Sequence, residues 1–199
     1  MRMLRVQEWN VVKTHGNKYQ AGFPDLYCFH HMYGERWVEV KTAKISYTKY
    51  QLYYFPLIRK VWVLRDTTDN EYKKLFKKQN YHMIIEHNTE PCMKEHIVQT
   101  HREGRVQMKV TEELEAKGYT VMPTYGNNIQ RGLPDLYVIK GMHCQWLELK
   151  RRKSFTRAQR DNFPRMAACG IGIWILWIEE DDSYDLGILK EEPNVGEYL

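Results

Sequence analysis

Gly22-Phe23-Pro24-Asp25-Leu26-Tyr27 recurs 110 positions later as Gly132-Leu133-Pro134-Asp135-Leu136-Tyr137, with five of the six residues identical. With one gap allowed, Trp37-Val38-Glu39-Val40-Lys41 falls over Trp146-Leu147-Glu148-Leu149-Lys150. After a second gap, Ser46, Thr48, Gln51, Phe55 and Pro56 fall over Ser154, Thr156, Gln159, Phe163 and Pro164. Upstream, Gly16-Asn17 matches Gly126-Asn127. Chance supplies about one identity in twenty aligned positions, so the chain is an internal duplication. Its 199 residues divide into two copies of ordinary domain size, copy 1 over 1–90 and copy 2 over 91–199, with the boundary near Glu90-Pro91.

Each copy reads as strand, strand, strand, helix, strand. Asp25 and Asp135 precede strand formers, Leu26-Tyr27-Cys28-Phe29 and Leu136-Tyr137-Val138-Ile139. A period of two puts Glu39 and Lys41 on one face of a strand, and Glu148 and Lys150 likewise, with Val38 and Val40, or Leu147 and Leu149, directed into the core. Ser46-Tyr47-Thr48 and Ser154-Phe155-Thr156 supply helix caps, with Gln51 and Gln159 on the first turns; most tyrosines between 47 and 54 are expected in the core. Copy 2 opens with a helix from about 91 to 117, carried by Ile97, Val98, Val106, Val110 and Leu114 and stopped at Gly118. Copy 1 begins at Leu4-Arg5-Val6, in the segment matching Leu114 onward, and has no room for that helix. Its last strand, 61–64, is followed by an expected helix over 69–78 and a strand over 81–86. The expected fold class is α/β: two tandem domains, each a central mixed sheet flanked by helices, with the first helix missing from copy 1.

Composition narrows the function. A chain with 43% hydrophobic and 13% aromatic residues is neither disordered nor low-complexity. Its longest apolar run, 171–178, has eight residues where a membrane helix needs about 20. With no apolar segment at the amino terminus, a cytoplasmic, non-membrane protein is expected. Cys28, Cys92, Cys144 and Cys169 form no C-x-x-C pair and read as reduced thiols. The net charge of +5 conceals a division: residues 179–199 hold eight acids and one lysine, leaving 29 basic and 17 acidic residues in 1–178. That is a body suited to a polyanion, followed by an acidic tail. The histidine pairs His30-His31, His82/His87 and His96/His101 lack the helical i, i+4 spacing of a metal pair, and no phosphate-binding G-x-x-x-x-G-K-[ST] loop occurs.

Each copy thus collects two acids, a lysine and a glutamine. Carboxylates converging from neighbouring strands repel unless a cation lies between them, and hard oxygen donors select Mg²⁺ or Mn²⁺. Such an ion polarises a phosphodiester and lowers the pKa of a bound water. A lysine beside it can orient that water or stabilise developing charge. The set suits phosphodiester hydrolysis.

Pro24-Asp25 with Glu39-Val40-Lys41, and Pro134-Asp135 with Glu148-Leu149-Lys150, resemble the PD-(D/E)XK nuclease motif. The fuller pattern, G-x-P-D-L, then E-x-K, then S-x-x-Q or a variant, is similar to the VRR-NUC branch and the related Holliday junction resolvases. The resemblance covers most of both copies and implies a restriction-endonuclease-like fold, dependence on Mg²⁺ (or Mn²⁺) and DNA endonuclease activity. It assigns metal ligation to Asp25, Glu39 and the Val40 carbonyl in copy 1, and to Asp135, Glu148 and the Leu149 carbonyl in copy 2. Lys41, Lys150, Gln51 and Gln159 become catalytic residues. Glu103, fifteen residues before Gly118, fits the family's helix glutamate, with Glu95, Glu112 and Glu113 as competitors. Copy 1 has no such acid in sequence; it works without one, borrows one, or is weaker. Arg151, Arg152, Lys153, Arg157 and Arg160, with Lys44, Lys49, Arg59 and Lys60 in copy 1, are candidate phosphate contacts. The expected partner is DNA, branched rather than sequence-defined, bound by a monomer with two sites in pseudo-two-fold arrangement. The alternatives are a junction-recognition protein with one or both sites inactive, or a sequence-specific restriction-type endonuclease.

Overall fold

The computed structural model describes residues 1–14, 22–41, 47–58, 61–65, 102–124, 132–141 and 143–198, with backbone alone at 3, 65, 102 and 103. The chain is mixed α/β in two compact units, each built on one four-stranded sheet. In the first, α1 (Arg2–Val6) leads into β1 (Asn10–Lys13), β2 (Leu26–His30) and β3 (Gly34–Lys41), and α2 (Lys49–Tyr54) precedes β4 (Val61–Arg65). The second runs α3 (Arg102–Ala116), β5 (Thr120–Pro123), β6 (Leu136–Lys140), β7 (His143–Lys150), α4 (Arg157–Ala168) and β8 (Ile173–Trp177), then two 3₁₀ turns, Leu186–Lys190 and Val195–Glu197. The sheet orders are β1-β2-β3-β4 and β5-β6-β7-β8. In each, the first three strands are antiparallel and the last pair is parallel. A parallel pair requires a crossover, and α2 and α4 occupy those crossovers.

β2 is buried at every position. Leu26 and Cys28 pack on Leu4, Trp9, Val38 and Trp62, while Tyr27 stands against Trp37, as period-two side chains on a doubly covered sheet must. In the second unit, Val106, Val110 and Leu114, one helical turn apart, lay the apolar stripe of α3 on Val121, Leu136, Val138 and Leu147. The duplication extends to ring geometry. Tyr27 opposes Trp37 and Tyr137 opposes Trp146 in register, at 4.8 and 4.7 Å between centroids and 53° and 54° between planes.

Three expectations change. The first helix, expected to be missing from copy 1, is present there as the single turn α1. Val40, expected in the core, is 44% exposed, whereas its counterpart Leu149 packs against the cluster that α3 completes; a five-residue α1 has no reach to cover it. The acidic tail is folded onto its sheet: Leu186, Leu189 and Val195 are buried, apolar residues that a charge count does not register. Asn194 closes the outer edge of β8, accepting from the Ile175 amide at 2.7 Å and donating to the Ile175 carbonyl at 3.2 Å, which blunts an otherwise open strand. Of the tyrosines, Tyr54 is buried while Tyr47, Tyr50 and Tyr53 are half-buried. Cys28, Cys144 and Cys169 form no disulfide among the described residues. Cys92, the elements expected over 69–86, the start of the helix over 91–101 and the boundary near 90 lie outside the described residues. Among those described, no helix is long and apolar enough to cross a membrane.

Candidate functional site

The aspartates are placed by backbone before any side chain acts. Gly22 and Gly132 adopt φ of +98° and +90°, a region closed to most side chains. At Gly132 a Cβ would also stand 2.7 Å from the Ala158 carbonyl oxygen. Just beyond, the amides of Thr14 and Thr124 donate to the carbonyls of Asp25 and Asp135, both at 2.9 Å. The buried hydroxyls of the same threonines donate to the carbonyls of Pro24 and Pro134. Each aspartate then reaches the neighbouring strand: Asp25 Oδ2 accepts the Val40 amide at 2.8 Å and Asp135 Oδ2 the Leu149 amide at 2.9 Å.

On that strand the glutamate turns inward. Glu39 and Glu148 are 2% and 1% exposed. Lys41 Nζ lies 2.7 Å from Glu39 Oε1, and Lys150 Nζ 2.8 Å from Glu148 Oε1. Gln51 Nε2 donates to Glu39 Oε1 at 2.7 Å and Gln159 Nε2 to Glu148 Oε1 at 2.6 Å. The glutamine oxygens accept from the same lysines at 3.1 and 3.0 Å. Each glutamine also caps its own helix, because its oxygen accepts the amide of Thr48 or Thr156 while the threonine hydroxyl accepts the glutamine amide in return. Sheet and helix start are thereby fastened to one carboxylate.

Burial governs the charge. It pushes Glu148 up to about 8, with the Asp135 charge adding to the effect; Lys150 and Gln159 pull the other way without offsetting it. Burial raises Glu39 in the same sense. In copy 2 the second oxygen, Glu148 Oε2, accepts the Asp135 amide at 3.2 Å. In copy 1, Glu39 Oε2 is buried without a hydrogen-bond partner. A buried acceptor left unmatched costs about 1–3 kcal/mol, and a divalent cation between the two carboxylates would satisfy it. The donor set is all oxygen, which fits Mg²⁺ or Mn²⁺.

The copy 2 constellation opens into a cleft of about 560 Å³, lined by Asp135, Glu148, Lys150, Arg151, Arg152 and Gln159 among others. Arg151 is already engaged: it donates to the Glu179 carbonyl at 3.1 Å and pairs with Asp182. Arg152, Lys153, Arg157, Arg160 and Lys49 are exposed, and Lys49 lies over the Tyr50 ring. Lys44, Arg59 and Lys60 lie outside the described residues. Glu103 falls within α3, and of its side chain nothing is described. The Val40 and Leu149 residues meet the aspartates through their amides. Three participants escape the sequence reading. Thr14 and Thr124 recur at the same offset of 110, a signal that was there to find. Gln107, one turn beyond Glu103, lines the cleft and donates to the Asp135 carbonyl at 3.4 Å.

No protein-family model, curated protein or solved structure matches this chain.

Proposed function

We propose that the chain is a Mg²⁺- or Mn²⁺-dependent DNA endonuclease of the PD-(D/E)XK kind, with two restriction-endonuclease-like domains in tandem. The observation that carries the reading is the repeated Asp-Glu-Lys-Gln constellation, whose paired distances agree to about 0.1 Å between copies. Turn-capping aspartates and surface lysines do not twice place a lysine and a glutamine on one buried glutamate with an aspartate bonded to the same strand.

When bound, the divalent ion supplies charge neutralisation at a phosphodiester and a water of lowered pKa. The chain's own groups do the rest. Asp25 with Glu39, and Asp135 with Glu148, offer carboxylate oxygens held at fixed spacing by the Val40 and Leu149 amides. Lys41 and Lys150 bring a cation to the same spot, where it can stabilise charge developing on phosphate oxygens. Gln51 and Gln159 keep lysine and glutamate in place. Arg152 and Lys153, exposed at and beside the copy 2 cleft, are suited to contact backbone phosphates. Branched DNA is the favoured substrate, since two sites in one chain can serve two strands.

Incubation of the protein with four-way-junction, flap, duplex and single-stranded DNA, with Mg²⁺ or with chelator, tests the reading. Metal-dependent product is expected, strongest on a branched form; no product on any of the four removes the enzyme and leaves a DNA-binding protein.

A further inference from the structure

At the opposite end of β2 from Asp25, about 17 Å along the strand, copy 1 departs from copy 2 in three ways that meet at one place. The residue closing α1 is Glu8, at φ +62°, where the residue closing α3 is Gly118, at φ +81°. The backbone is otherwise the same: Glu8 and Gly118 donate to the carbonyls of Arg5 and Glu115, and Trp9 and Tyr119 to those of Leu4 and Leu114. Left-handed backbone costs a non-glycine residue roughly 1–2 kcal/mol, so Glu8 holds a strained position that glycine fills freely. Where copy 2 ends β6 with Lys140, copy 1 ends β2 with His30. The hairpin that follows is one residue longer in copy 1, pairing His30 with Gly34 rather than Lys140 with His143. The longer loop folds His31 against His30, with ring centroids 4.3 Å apart.

We propose that Glu8, His30 and His31 form a transition-metal site, suited to Zn²⁺, that staples the shortened first helix to the β2–β3 hairpin. One ligand atom from each residue lies within 4.8 Å of the others. Two imidazoles and one carboxylate are the donors zinc prefers and Mg²⁺ does not. His30 is 4% exposed and held between Trp9 and Tyr33, at 5.3 and 4.8 Å between ring centroids, so one ligand is fixed in advance. Glu8 and His31 are exposed and free to close on it. In the structure His30 Nδ1 accepts the Met32 amide at 3.0 Å; a cation taking Nδ1 displaces that amide into solvent at the exposed hairpin tip. Such a staple would hold α1, whose five residues are far below what stands alone in water, to the hairpin. This site is independent of the nuclease reading.

The test is calorimetric titration of Zn²⁺ into the chelator-stripped full chain in excess Mg²⁺, which occupies all-oxygen sites without competing for imidazole. The wild type is expected to take up one Zn²⁺ tightly and to melt at higher temperature with it. His31→Ala and Glu8→Gly are each expected to weaken binding at least about tenfold. Glu8→Gly, the residue that copy 2 carries at this position, is expected to raise the metal-free melting temperature. Wild-type affinity retained in both variants, or no Zn²⁺ uptake by the wild type, overturns the site. A metal-free Glu8→Gly protein that melts lower than wild type overturns the strain argument behind it.

Discussion

Fifteen residues of α3 cross one face of the second sheet, whereas among the described residues the equivalent helix of the first unit is the five-residue α1. Leu149 is partly buried against the core and Val40 is exposed. Yet the aspartate-to-strand, lysine–glutamate and glutamine–glutamate distances agree between the copies to about 0.1 Å. The constellation is therefore a product of two strands, a capped helix and a glycine turn, and the first helix decides only what walls the site. In copy 2 that wall brings Gln107 to the cleft beside the constellation, and in copy 1 Glu39 Oε2 is unmatched.

The largest expected difference is in cleavage. Asp135→Ala and Glu148→Ala should each lower the Mg²⁺-dependent rate by about a hundredfold, the scale of about 3 kcal/mol from a lost metal. Asp25→Ala and Glu39→Ala should cost less. Single-turnover rates for the four variants decide it, and greater damage in copy 1 would reverse the ranking and make the open site the dominant one.

Next comes the glycine turn. An alanine at Gly132 meets the rigid Ala158 carbonyl, while at Gly22 the nearest atom is the edge of the Tyr54 ring, at 2.6 Å. Gly132→Ala is expected to destabilise by about 2–3 kcal/mol and Gly22→Ala by less, since a ring can swing. Denaturant unfolding of the pair separates them; equal losses would mean that the left-handed backbone, common to both, sets the cost.

The third test is pH. The Glu148 pKa is raised in the fold, from an ordinary 4.5 to about 8, so the folded metal-free protein holds a proton that the unfolded chain has released. That contribution to stability is whole below about pH 4.5 and is lost as pH climbs through about 8. Melting temperature in chelator should fall across this window, and Glu148→Gln should flatten the fall. Mg²⁺ needs the ionised form, so its stabilising effect should grow with pH over the same window. Glu39 moves in the same direction, which leaves a smaller residual slope in the variant.

The smallest effect concerns phosphate contacts. Removing Arg152 and Lys153 should reduce the salt dependence of DNA binding by about 0.9 per lost contact. Arg151→Ala should change it less, because Asp182 and the Glu179 carbonyl already hold that side chain. Asp182→Asn should then steepen the slope by freeing Arg151. A salt titration in which Arg151→Ala has the greatest effect would show that DNA displaces the pair.

Much of this was legible because duplication makes a sequence its own alignment. Asp25, Glu39, Lys41 and Gln51 stand out only beside Asp135, Glu148, Lys150 and Gln159, and the four contacts they make follow from strand period and helix capping. Gln107 was invisible because a lone glutamine on a helix carries no signal of its own. Glu8, His30 and His31 were invisible because helical i, i+4 spacing does not describe them: they meet from the close of α1, the end of β2 and a hairpin one residue longer than that of copy 2. The folded state of the tail was hidden by its charge, since Leu186, Leu189 and Val195 sit among acids that dominate any window average.

Gln159 spends one carboxamide on two duties, receiving the Thr156 amide at the start of α4 and holding Glu148 in the sheet. Helix ends usually fray independently of whatever lies beside them. Here the opening of that first turn and the loosening of the carboxylate are one event, so the exchange of the Thr156 and Gln159 amides with solvent deuterium is clocked by the site. A divalent cation held by Glu148 should slow hydrogen exchange in the first turn of α4, and the same capping geometry at Gln51 gives α2 its own clock.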